Sequence, residues 1–187
     1  MNLNIEVKKI GFIGNCQMMA LSHYINILLE PCNTYWFCCN KEWERLPWPR
    51  NSKVFGENQT KHNIFGDDNI KKILPKCDTI IYQPEFNSLN LINNNCNLKH
   101  QKAISISPIL VNNFDYMERK EKKYNTEISV TKLIKKYQDK KLYIKHDYHP
   151  TSFLFLEIVR EICHILNIKF YDDAIYDELS NQQYPKY

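Results

Sequence analysis

The chain has 187 residues, of which 43% are hydrophobic and 25% charged, a balance that suits one globular domain and excludes disorder throughout. With 25 Lys and Arg against 21 Asp and Glu, the net charge of +4 is too small to argue for a nucleic-acid partner. No apolar run approaches the ~20 residues that span a bilayer, and Met1 to Lys9 lack the apolar stretch of a signal peptide, so no transmembrane segment is expected.

Seven cysteines cannot all pair within one chain. With no export signal, the expectation is a cytoplasmic protein with free thiols. Cys32, Cys38 and Cys39 have no C-x-x-C spacing and no partnered histidine pair, so no metal site is expected.

Val7 to Ile13 reads as a strand, Gly14-Asn15 as a turn, and Cys16 to Glu30 as a helix stopped by Pro31. Thr34 to Cys39 is a second β-prone run. Lys41 to Arg50, with two tryptophans and two prolines, reads as irregular. Asp67 to Leu74 predicts a short helix. Asp78 to Tyr82 and Gln101 to Ser107 predict two further strands, closed by Gln83-Pro84 and Pro108. Lys120 to Lys141 predicts one basic helix with Ile128, Leu133, Ile134 and Tyr137 as its apolar stripe. From Met117 to Lys145, ten Lys and Arg face four Asp and Glu. Lys141 to Lys145 reads as a short strand. His149-Pro150 opens a long apolar helix to about Asn167, and Tyr171 to Tyr187 reads as a loosely packed acidic tail.

Strands alternating with helices predict a single α/β domain over residues 1–187, a three-layer sandwich around a mainly parallel sheet. Ligands of such sheets sit beyond the carboxyl ends of the strands. The residues there are Gly14 to Gln17, Cys39-Asn40, Gln83 to Glu85, Ser107-Pro108 and the segment His146 to Pro150. Cys16 at a helix start meets unpaired N–H groups that favour a thiolate, so a lowered pKa and a nucleophilic role are expected of it. The alternative is a buried structural cysteine. His149 can serve as general base toward Cys16, with Asp147 fixing its tautomer. His146 competes for that role, and a helix-capping histidine is the alternative. Gln83, at a strand end, can donate to an oxyanion or to a substrate hydroxyl.

A strand running into Gly14-Asn15-Cys16-Gln17, a strand ending in Gln83-Pro84, an Ile-rich strand ending in Pro108, and His149-Pro150-Thr151 opening an apolar helix together resemble the WcbI-type polysaccharide biosynthesis proteins. The resemblance spans about Lys9 to Ile168. It implies an α/β fold related to SGNH hydrolases, binding of coenzyme A, and acetyl transfer in capsule or surface glycan synthesis. It puts Cys16 where that fold carries its nucleophile, His149 at the catalytic histidine, Gln83 near the oxyanion-hole amide, and Asn15 and Gln17 along the same pocket. The SGNH pattern sets Asp three residues before His, whereas Asp147 precedes His149 by two.

The expected function is therefore an acyltransferase moving acetyl from acetyl-CoA to a sugar hydroxyl, by an acyl-Cys16 intermediate or by direct attack. The alternatives are an O-acetylesterase using the same residues, and a non-catalytic CoA- or glycan-binding component of a biosynthetic assembly. Composition does not fix the acceptor sugar or the oligomeric state.

Overall fold

The computed structural model describes residues 8–29, 32–38, 51–53, 60–85, 88–110, 113–143, 149–168 and 173–181. In chain order the elements are β1 (Lys8–Gly14), α1 (Cys16–Leu28), β2 (Cys32–Cys38), β3 (Asn51–Lys53), β4 (Thr60–Ile64), α2 (Asp67–Ile73), β5 (Thr79–Tyr82), α3 (Ser88–Asn95), β6 (Lys102–Ser105), α4 (Phe114–Tyr124), α5 (Val130–Lys136), α6 (Ser152–Leu166) and α7 (Asp173–Ser180).

The strands lie in the order β3-β4-β2-β1-β5-β6. Five are parallel, and β3 pairs antiparallel to β4 at the edge. Alternation along each strand sends side chains to two cores. Ile10, Phe12, Trp36, Ile81 and Ile104 point to one face, under α1, α5 and α6. Ile13, Phe37, Ile64 and Ile80 point to the other, under Ile70 of α2 and Ile92 of α3. The result is the expected three-layer α/β sandwich. Burial on both faces explains why the β1 run Ile10 to Ile13 is continuously apolar rather than alternating.

Helix α1 is buried on nearly every side, including Met18, Leu21, Ile25 and Leu28. It lies between the sheet and α6, and each large apolar side chain there contributes roughly 2 kcal/mol by leaving water. The chain moves from β1 outward to β2 through α1 on one face. It returns from β4 to β5, on the other side of β1, through α2 on the opposite face. The order of strands thus reverses between β1 and β5, and a crevice opens at such a switch point beyond the carboxyl ends of the strands.

Several expectations change. The basic stretch Lys120 to Lys141 is two helices, because Asn125 turns left-handed (φ 47°) and ends α4. Ile128, expected on a helical stripe, instead bridges in parallel to Ile106. Within the expected loose tail, α7 packs on α6, and Tyr176 is buried. Thr151 rather than Pro150 stands at the start of α6, which leaves Pro150 just outside the helix. Of the expected Lys141–Lys145 strand, Tyr143 makes an isolated bridge to Pro150, and residues 144–148 lie outside the described ones. No helix among the described residues is long and apolar enough to cross a membrane.

Candidate functional site

The switch point is built from amides. Asn15 caps α1: its side-chain oxygen accepts the Gln17 N–H at 2.9 Å. The Asn15 N–H donates to Gln83 Oε1 (3.1 Å), and Gln83 Nε2 donates to Gln17 Oε1 (3.1 Å). Gln17 then holds both backbone groups of Ile109. Its Nε2 donates to the Ile109 carbonyl at 2.7 Å, and its Oε1 accepts the Ile109 N–H at 3.0 Å. One ladder of neutral hydrogen bonds therefore ties together the loops that follow β1, β5 and β6.

Gly14 makes this approach possible. A Cβ there would stand 2.4 Å from Gln83 Oε1 and 2.6 Å from Met18 Cγ, and its φ of +154° suits glycine. The buried Trp36 indole N–H donates to the Gly14 carbonyl at 3.2 Å, bracing the turn from the α1 side. Gln83 is held in turn by its own N–H, which donates to the Ile13 carbonyl at 3.0 Å. The Ser88 hydroxyl donates to the Gln83 carbonyl.

Gln83 and Gln17 are both buried, 1% and 8% exposed, and the oxygen and one N–H of each carboxamide are committed to this ladder. Sequence reasoning expected Gln83 to donate to an oxyanion and Gln17 to line a pocket. The geometry makes both of them positioning residues. A buried amide with partners close at hand completes its bonds inside the protein, because an unmet buried polar group costs about 1–3 kcal/mol.

Cys16 is the first residue of α1 and is half-buried. Burial pushes its thiol above the ordinary value of 9.0, while the N–H groups of Cys16 and Gln17 pull the other way and are outweighed. The expected low-pKa thiolate is thus corrected: desolvation wins over the helix start. Each of the described cysteines is a free thiol.

His149 is half-buried and sits just before α6. At the far end of α6, the Ile165 carbonyl accepts from Lys102 Nζ, at the amino end of β6. Helix α6 therefore descends from the carboxyl-end side of the sheet, and His149 belongs to the same side as Cys16. Ser152, at the top of α6, accepts a 2.7 Å bond from the Tyr24 hydroxyl of α1. Cys16 thus opens α1 and His149 precedes α6, and the two helices meet through the Tyr24–Ser152 bond. Asp147 and His146 lie outside the described residues.

No protein-family model, no curated protein and no solved structure matches this chain. The site therefore stands on its own geometry.

The signals missed in the sequence are Ile109, whose backbone completes the ladder, and α4, whose side chains reach the loop after β5. Tyr116 and Lys120 of α4 both reach Glu85, two residues past Gln83. Pro108 marks the end of β6, but the fold of the following segment over Gln17 depends on a contact spanning ninety-two positions. No group of three His, Cys, Asp or Glu side chains among the described residues could hold a metal ion.

Proposed function

We propose that the protein transfers an acetyl group from acetyl-CoA to a sugar hydroxyl, as the resemblance to WcbI-type polysaccharide biosynthesis proteins implies. The observation that carries this is the start of α1. It lies at the switch point, has no acidic residue in its first turn, and leaves the Cys16 N–H beside the thiol, the Gln17 N–H being taken by the Asn15 cap. An N–H at a helix start suits the oxyanion that forms as a thioester carbonyl is attacked.

The raised Cys16 pKa favours direct transfer over an acyl-enzyme. The acceptor hydroxyl gives its proton to His149, and its oxygen bonds to the thioester carbon. The carbon–sulfur bond breaks, and the CoA thiolate leaves with the proton from His149. Cys16 lines the site as a neutral thiol.

The test is thermal denaturation with CoA, acetyl-CoA and ATP, followed by turnover of variants. Ligand at ~100 times its dissociation constant adds about 2.7 kcal/mol of stability, so CoA should raise the melting temperature where ATP does not. Cys16→Ser should keep turnover within about threefold, and His149→Ala should lose roughly 10²–10⁴-fold. A trapped acyl-Cys16 would reinstate the covalent route. Acetate released from acetylated glycan without CoA would make the protein an esterase. CoA binding without turnover, unchanged by Cys16→Ala, would make it a binding component.

A further inference from the structure

Glu85 has no part in the proton transfer described above, but it follows the same strand end as Gln83. Gln83, whose amide is fastened to Asn15 and Gln17, is two residues away, no more than about 7 Å of backbone. Ser88, at the start of α3, holds both residues, its one hydroxyl proton shared between the carbonyls of Gln83 and Glu85. Glu85 is thus carried on the same rigid edge as Cys16.

Its carboxylate is used on one side. Glu85 Oε1 takes both Lys120 Nζ, at 2.5 Å, and the Tyr116 hydroxyl, at 3.2 Å. Both donors come from α4, and Lys120 also lies 4.8 Å from the Tyr116 ring centroid. A carboxylate offers about four acceptor positions, so one occupied oxygen leaves the other with capacity to spare. The Glu85 side chain retains 15% of its surface and that of Lys120 22%, so the unit is partly open to solvent. A carboxylate–ammonium pair with a phenol ring beside it has no net positive charge to draw an anion, and its carboxylate offers acceptors to hydroxyls. It suits a polyol better than a phosphate.

We propose that Glu85, held by Lys120 and Tyr116, binds the hydroxyls of a neutral sugar at the switch-point crevice and so selects the acceptor. This rests on the hydroxyl-acceptor reading of the site. The contrary possibility is an ion pair that merely fastens α4 to β5, and a charge reversal separates the two. Glu85→Lys combined with Lys120→Glu can rebuild the pair while moving the carboxylate from the loop after β5 to α4.

The measurement is saturation-transfer NMR with methyl glycosides of glucose, galactose and mannose, on the wild-type chain, on Glu85→Gln and on the reversed pair. Melting temperatures are recorded alongside, and CoA binding is followed separately by thermal shift. The wild type should show transfer to at least one glycoside. Glu85→Gln should weaken it about tenfold, as for loss of a bond to a charged group. The reversed pair should melt within a few degrees of wild type and still fail to bind sugar. Absence of transfer in the wild type, or undiminished binding by either variant, would overturn the assignment. CoA binding reports on the acyl-transfer reading alone: sugar binding without any CoA shift would keep Glu85 and sink the donor.

Discussion

Two helix starts in this fold are finished differently. The first turn of α5 is plugged by a charge. Glu121, reaching over from α4, accepts the Thr131 N–H at 3.0 Å together with the hydroxyls of Thr131, Ser129 (2.7 Å) and Ser107 (2.9 Å). The first turn of α1 has only the neutral cap of Asn15 and the amides of Gln83 and Gln17 behind it. A helix start carries partial positive charge. At α5 a carboxylate already answers that charge, so the end is structural. At α1 no acidic residue of the first turn answers it, and the neutral ladder fixes the geometry without cancelling the field.

Removing the plug should have the largest effect. Glu121→Ala strips acceptors from three hydroxyls and one N–H, and should cost about 3 kcal/mol in chemical denaturation. Alkylation of Cys16 should be unchanged, because the two helix starts are separate. A cost under about 0.5 kcal/mol would mean that water replaces the carboxylate freely and that the two ends are alike.

Gln83→Leu should come next, at about 2 kcal/mol, since it orphans the Asn15 N–H and one face of the Gln17 amide. Unlike the change at Glu121, it should reach Cys16. A loosened turn admits water, so the pH for half-maximal alkylation should fall toward the ordinary thiol value.

The smallest effect on stability, and the sharpest on the comparison, comes from pH alone. Because burial raises the Cys16 pKa above 9.0, its thiolate is scarcer at pH 8 than that of a free cysteine. Iodoacetamide should therefore react with half-maximal rate above pH 9, more slowly at pH 8 than with a cysteine peptide. The sign also bears on folding. A thiol whose folded pKa is raised favours the native state fully below its unfolded pKa, and that advantage is lost as pH rises through the folded value. A half-maximum below pH 8 would show that the helix field beats desolvation after all.

Much of the sheet could be read along the chain. Gly14-Asn15 before an apolar helix, and Pro84 and Pro108 after β-prone runs, punctuate β1, β5 and β6 where the structure has them. What escaped was written in polar residues. β4 reads Thr-Lys-His-Asn-Ile and shows no apolar pattern, although Lys61 and Asn63 are buried. Its place in the sheet comes from pairing with β2, a long-range contact. α3 is rich in asparagine, a poor helix former, and is held by Ile92 against the second core. Cys16 was found at its helix start, but its pKa was expected in the wrong direction, since helix position is written locally and burial is not. The bond between Gln17 and Gln83 escaped for the same reason: it spans sixty-six positions.

The indole beneath Gly14 gives the switch point an optical handle. Trp36 is fully buried, and its only ring donor is committed to the carbonyl of the turn that precedes Cys16. With Trp43 and Trp48 replaced by phenylalanine, the tryptophan emission of the chain would come from this one residue. Its wavelength would then follow the electric field and hydration at the α1 start in real time, without a label and without knowledge of the substrate.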